Sequence, residues 1–359
     1  MIKPLVTSVL SLGIALTAAC SPSSDQTAEA PPVAASEAPN FAAIHADDTG
    51  EKIPVTLENY EVAESDLAFY NVTKLVGMNT FFHFPTGAFD LDNQTVVRMN
   101  RDTYYSGAII DTTQGATVTI PETNGRYLSV MVVQNDHYID QVFLTPGTHD
   151  IESDTDFALI AMRIRVDAND PEDAARVTAL RDGTVLSVAG SKIHSLPDYD
   201  LQQLEALRSQ LADESLTHPS TIGMQGARGS VDPRMHLLGT AYGWGLLPEQ
   251  NAVYIGSPKL PADGCYTASF QPPPFTPPGF FSITMYDKDG WIVSERAILN
   301  EFNIDFNEDG SFDAYFGDCG DTAVNNLPIT DGWNYVMRIY QPNLDEAAEY
   351  RLPDAQKVN

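Results

Sequence analysis

Two blocks of short β-forming runs, with a stretch of helical periodicity between them, set the main limits on this fold. In the first block, from Thr95 to Val166, Ala116-Thr117-Val118-Thr119-Ile120 alternates and Arg126 to Val133 is rich in β-branched and aromatic residues. Ile160, Met162, Ile164 and Val166 alternate with Ala161, Arg163 and Arg165, a pattern that predicts a half-buried strand. Clusters such as Thr123-Asn124-Gly125 mark turns. From Val253 onward the runs Cys265 to Phe270, Phe280 to Tyr286, Trp291 to Glu295, Ser311 to Phe316 and Trp333 to Tyr340 are separated by Pro, Gly and Asp. Such spacing predicts a sandwich or jelly roll.

Between the blocks, Asp170-Pro171-Glu172-Asp173 supplies an N-cap, a proline at the first helical position and acids in the first turn. Gly183 is a natural stop. Leu201, Leu204, Leu207 and Leu211 line one side of a second helix, and Asp232-Pro233 starts a third that ends at Gly243 or Gly245. Ahead of the first block, Tyr60, Ala63, Leu67 and Tyr70 recur at helical spacing within Leu57 to Met78. The expected class is mainly β with a helical middle. Residues 49–168 would form an N-terminal β-sandwich, 169–250 the helical segment, and 251–359 a jelly-roll-like C-terminal β-sandwich.

Residues 1–19 read as a secretory signal: Lys3, an apolar or small run from Leu5 to Leu16, then small residues. The run is short of the roughly 20 residues that span a bilayer. Leu16-Thr17-Ala18-Ala19-Cys20 is similar to lipoprotein signals, which implies cleavage before Cys20 and lipid on its thiol; Ser21 in place of Asp implies the outer membrane, facing the periplasm. Residues 20–48, mostly small, proline and acidic, read as a disordered tether. In an exported chain Cys265 and Cys319 could pair as one disulfide. The net charge of −29 repels nucleic acid and anionic lipid, so contact with membrane is expected only through the lipid anchor.

No Gly-x-Ser-x-Gly elbow, His-Glu-x-x-His, Cys-x-x-Cys, phosphate loop or dinucleotide fingerprint is present, so no cofactor is expected. Three stretches carry a family resemblance: Arg98-Met99-Asn100-Arg101-Asp102-Thr103-Tyr104-Tyr105-Ser106, His236-Leu237-Leu238-Gly239-Thr240-Ala241-Tyr242-Gly243-Trp244-Gly245, and Gly332-Trp333-Asn334-Tyr335-Val336-Met337-Arg338-Ile339-Tyr340. Ala63-Glu64-Ser65-Asp66, Asp136-His137-Tyr138 and Phe281-Ser282-Ile283-Thr284-Met285-Tyr286 support it. In this order they resemble bacterial proteins that join the domains of unknown function numbered 1254 and 1214. The resemblance implies an N-terminal β-sandwich, a helical segment and a C-terminal jelly-roll-like domain, and little about activity. Members often carry Trp where Phe281 stands, and Cys or Trp where Asn326 stands. If Cys319 pairs with a cysteine at that second point in the family, its partner is missing here, which counts against the Cys265 pairing.

Several constellations could carry chemistry. Asn100, Arg101 and Asp102 follow a predicted strand, where Asp beside Arg would stay ionised. Asp136 and His137 follow another, and histidine is the commonest acid–base residue. A zinc site from His83, His137 and His236 is a minor alternative. Asp305 to Asp313 has the oxygen-rich start of a calcium loop, but Phe316 stands where the closing Glu belongs, so a hairpin turn is expected. Alternation puts Ser282, Thr284 and Tyr286 on one face, and Asn334, Val336, Arg338 and Tyr340 on another. Together they would line a groove suited to a sugar or polyol. The leading expectation is an envelope enzyme acting on a neutral, hydroxyl- or ether-rich compound. Asp102 would be its carboxylate, His137 its proton-transfer partner, and Arg101 or Arg126 its charge stabiliser. Asn100, Tyr105, Asp136, Ser282, Thr284, Tyr286, Arg338 and Tyr340 would bind substrate. The rival is a non-catalytic carbohydrate- or polyol-binding or assembly module. The expected partners are a small molecule or saccharide and, for assembly, further copies of the chain.

Overall fold

The computed structural model describes residues 51–84, 91, 94, 98–167 and 170–358. The signal sequence, Cys20, the tether, and the expected boundaries at Thr95 and 168–169 lie outside them. In chain order the elements are α1 (Tyr60–Val76), β1 (Phe82–His83), β2 (Thr103–Asp111), β3 (Ala116–Ile120), β4 (Leu128–Gln134), β5 (Gln141–Phe143), β6 (Gly147–Ile151), β7 (Phe157–Arg165), α2 (Pro171–Gly183) and β8 (Val185–Val188). There follow α3 (Leu201–Ser215), α4 (Pro233–Tyr242), β9 (Ala252–Gly256), β10 (Cys265–Phe270), β11 (Phe275–Tyr286), β12 (Ile298–Asn300), β13 (Phe312–Gly317), β14 (Asn326–Leu327), β15 (Asn334–Pro342), α5 (Leu344–Glu349) and β16 (Gln356–Lys357). The protein is mainly β with a helical middle.

The strands form four sheets, in the orders β6-β3-β8, β1-β2-β7-β4-β5, β12-β11-β15-β9 and β14-β13-β10-β16. Alternation along each strand decides how they stack. Ile110, Val130, Val132, Ile160 and Ile164 of the five-stranded sheet share a core with Val118, Ile120 and Ile151 of the three-stranded one. Ile109, Tyr127, Met131 and Leu159, on the opposite face, share a second core with Tyr254, Phe280 and Tyr340. The outer face of that third sheet, through Phe281, Ile283, Met337 and Ile339, joins Phe270, Phe312 and Phe316 of the fourth. The five-stranded sheet is therefore covered on both faces. This corrects the expectation for β7, which is buried along both sides of its pleat, Arg163 included.

The helices follow the capping signals. Asp170, Asp200 and Asp232 each accept a hydrogen bond from a first-turn amide, and Pro171 and Pro233 occupy first positions. Tyr60, Ala63 and Leu67 of α1 pack with Leu204, Leu211, Leu237 and Leu238 in a third core. The helical middle also supplies β8, which pairs with β3. Trp291 to Glu295 is not a strand. Its amides bond side chains instead: Trp291 N donates to Asp287 Oδ1, and Ile292 exchanges two bonds with the Gln94 amide. Cys265 and Cys319, at one end of the β10–β13 pair, are joined by a disulfide with Cα atoms 4.9 Å apart.

Candidate functional site

Where the second and third sheets meet, both present polar rows. Cross-strand register sets Tyr105, Arg163 and Ser129 side by side on β2, β7 and β4. Opposite them Asn300, Ser282, Arg338 and Tyr254 run across β12, β11, β15 and β9. The alternation expected for the C-terminal strands is present, but the face they build is closed by the N-terminal sheet and does not form an open groove. Arg338 is 3% exposed. It donates to Thr284 Oγ1 (2.9 Å), the Tyr286 hydroxyl (2.6 Å) and the Arg98 carbonyl (2.7 Å). Tyr286 donates in turn to the Met99 carbonyl. Asn100 Nδ2 donates to the Tyr105 hydroxyl (2.6 Å) and the Tyr340 hydroxyl (2.8 Å).

Asp102 enters this layer just before β2 and is 1% exposed. Ser282 Oγ donates to its Oδ2, and Asn300 Nδ2 to its Oδ1 at 3.2 Å. Burial pushes its carboxyl pKa up, against the downward pull of the Ser282 bond, the Arg338 charge and the Asn300 bond. Thus Asn100, Asp102, Tyr105, Ser282, Thr284, Tyr286, Arg338 and Tyr340 do converge in one layer, as two hydrogen-bonded groups in which only Tyr105 is half-buried.

His137 lies elsewhere; among the described residues no hydrogen bond or shared partner links it to Asp102. Its Nε2 accepts the Gly245 N–H at 2.8 Å, so the ring proton sits on Nδ1 and goes to Thr240 Oγ1 at 2.8 Å. Thr240 passes its own proton to the His236 carbonyl. Burial, then the neighbouring His236, holds the His137 pKa well below its usual value. Every polar atom of this neutral ring is engaged, which leaves it no proton to exchange with a substrate. Gly245, at φ +75°, adopts the left-handed turn that aims its N–H at His137 while its carbonyl accepts from Arg163 Nη2 at 2.7 Å. Asp136 pairs with Arg228, and Arg126 with Asp173 and the Arg165 carbonyl; among the described residues neither bonds Asp102.

Among the described residues no group of three or more His, Cys, Asp or Glu is placed to hold a metal ion. His83 bonds Ser106, while His236 stacks on Tyr138. In the Asp305–Asp313 segment, Asp309 Oδ1 accepts from the Ser311 amide and hydroxyl, closing a tight turn; it is not the expected hairpin, because β12 and β13 on either side lie in different sheets.

Among the described residues, an open cleft that sequence reasoning missed lies at the edge of the layer around Asp102. Two hollows of about 250 and 390 Å³ adjoin, sharing Arg296 and Asn326. The first is lined by Arg101, Glu295, Asn300, Asn303, Asn325 and Asn326, among others. The second lies beside the disulfide, against Gly264, Gly317 and Asp318. Arg101 donates to the Glu295 carbonyl at the rim. Asn326 Oδ1 is buried and has no hydrogen-bond partner. Asn300 joins the cleft to Asp102 below it. These asparagines sit on separate strands and turns, and only their sequence density around 300–326 could have signalled them.

Two family models match parts of the chain: a protein of unknown function, DUF1254, over residues 78–142, and a second, DUF1214, over residues 256–344. Both domains expected from the motifs are present. A crystal structure of a Vibrio parahaemolyticus protein superposes with a TM-score of 0.66 over 84% of this chain and 98% of its own, at 16% identity, a likeness of fold. An uncharacterized protein from Burkholderia cenocepacia gives a TM-score of 0.48 at 14% identity, over 83% of this chain and 87% of its own. No curated protein matches the sequence.

Proposed function

We propose that this chain, which carries a DUF1254 and a DUF1214 domain, is an exported, lipid-anchored protein of the outer membrane, facing the periplasm, that binds a neutral, hydroxyl- or ether-rich compound without turning it over. The observation that carries the reading is the four-asparagine lining of the cleft, with the buried, unbonded Asn326 Oδ1. Amides donate and accept, as a ligand hydroxyl does, and a buried acceptor left unmade costs about 1–3 kcal/mol that such a hydroxyl would recover. The Cys265–Cys319 disulfide fits an oxidising compartment, which supports export. Serine in place of Cys20 should then release the protein from the membrane fraction.

Calorimetric titration with sorbitol and with triethylene glycol tests the binding. Saturable binding of one of them is expected, weakened about tenfold or about 1.4 kcal/mol in Arg296→Ala/Asn326→Ala, with no product formed. No saturable heat, or equal binding by the double variant, sinks the reading. A second reading has one observation in its favour: Asp102, with its carboxyl pKa pushed up, lies one hydrogen bond beneath the cleft. It would then serve as a general acid, and turnover lost about 100-fold in Asp102→Asn would establish that role.

A further inference from the structure

We infer that Arg163 anchors an interior receptor for a small monocarboxylate, an acetate-sized anion, in the layer between the N- and C-terminal sheets. Arg163 is 6% exposed, near the C-terminal end of β7. Its Nη2 donates to the Gly245 carbonyl, while Nη1 is buried with no partner. The groups that face it are tyrosines: Tyr105, Tyr254, Tyr340 and Tyr127. Among the described residues no carboxylate pairs with it. The nearby acid, Asp102, is tied to Ser282 and Asn300 and lies in the field of Arg338 and Arg165. Two buried guanidiniums, Arg163 and Arg338, therefore share this layer with Asp102, itself driven toward its neutral form, while the nearby Glu301 is paired with Arg165.

An unpaired buried charge costs several kcal/mol, and a chain that merely needed filling here would carry Leu or Met. The residues opposite Arg163 could also have supplied an acid. They are Tyr105 on one side and Ser129 on the other, both hydroxyl-bearing. Ser129 is wholly buried, and the Tyr127 hydroxyl lies beside it. Arg163 Nη1, Ser129 Oγ and the Tyr127 hydroxyl are all buried without a hydrogen-bond partner, and together they make a donor set for a planar carboxylate. A layer packed this closely with tyrosine rings would admit only a ligand of a few heavy atoms. Tyr105, whose ring covers the guanidinium at 5.3 Å, is only half-buried, which makes it the side from which a ligand would enter. This receptor is separate from the asparagine cleft, which takes neutral compounds.

The test titrates the protein with ¹³C-acetate and with its neutral isostere acetamide at constant ionic strength, reading ligand line broadening. Saturable binding of acetate and not acetamide is expected. Ser129→Asp places a carboxylate directly across from Arg163 and should abolish acetate binding while raising the melting midpoint. Arg163→Lys, which keeps the charge but loses the fork, should weaken acetate at least about tenfold. Absence of acetate binding, equal binding of acetamide, or wild-type acetate binding by folded Ser129→Asp would each overturn the inference. If Ser129→Asp does not fold, Arg163→Met takes its place, with the same two outcomes.

Discussion

Asp102 and His137 are both sealed from water, and they respond to pH in opposite directions. The Asp102 carboxyl is raised by burial, so the folded protein keeps this proton to higher pH than the unfolded chain does. Its contribution therefore falls as pH rises from the unfolded value of about 3.9 through the raised folded value. The amide that Asp102→Asn puts in its place does not titrate. The melting midpoint of Asp102→Asn minus that of wild type should thus increase from pH 4 to pH 7; a decrease would show the carboxylate to be favoured by the fold. His137 is depressed, so the unfolded chain protonates first as pH falls. The stability of its neutral ring is complete above about pH 6.5 and is lost below it. His137→Asn keeps a residue that tolerates φ +66° but loses both ring hydrogen bonds. It should cost about 2–3 kcal/mol at pH 8 in denaturant melts, and less below pH 6. The sequence placed Asp102, Asn100 and Tyr105 in one neighbourhood, because they are local to one strand start. It paired His137 with Asp102 on residue type alone, and nothing in residue type reports that Gly245 and Thr240 fold back to engage the imidazole.

At the scale of elements, local chemistry was legible and environment was not. The Asp170 and Asp232 caps could be read because each acts within three residues and is followed by proline; Asp200, which lacks that proline and so carries no such signal, caps its helix in the same way. Asp200 Oδ1 accepts from both the Gln202 and Gln203 amides, so Asp200→Ala should lower stability by about 1 kcal/mol, read as a shift in the urea midpoint. Strand β7 shows the other side. Its alternation of Ile and Met with Arg gave the correct period, but an alternating charge reads as solvent-facing unless a second sheet covers it. The row Tyr105–Arg163–Ser129 depends on pairing between strands far apart in sequence. Trp291 to Glu295 looked like a strand by composition, yet the distant Gln94 amide satisfies its backbone. Joining β10 to the turn after β13 closes a long loop, so Cys265→Ser/Cys319→Ser should cost about 2–4 kcal/mol, measured as a fall in the guanidinium midpoint.

In the molecule as a whole, four sheets stack so that the two inner ones meet through charge and hydroxyls as well as apolar packing. Tyr127 packs on Phe280 and Tyr340, Arg165 lies over Phe280, and Ser282 reaches Asp102. The second core thus draws on both family domains. Calorimetry of residues 47–359 should therefore show one cooperative transition, and two resolved transitions would contradict that coupling. The same closure moves the candidate site for a neutral ligand off the inner faces, where the sequence placed it, and out to the asparagine cleft. The most direct test is a titration followed through the side-chain ¹⁵N–¹H₂ signals of asparagine, with whichever of sorbitol and triethylene glycol binds more tightly. The account predicts saturable shifts at Asn303 and Asn326 with Asn100 unmoved; shifts at Asn100, or none at the cleft asparagines, would contradict it.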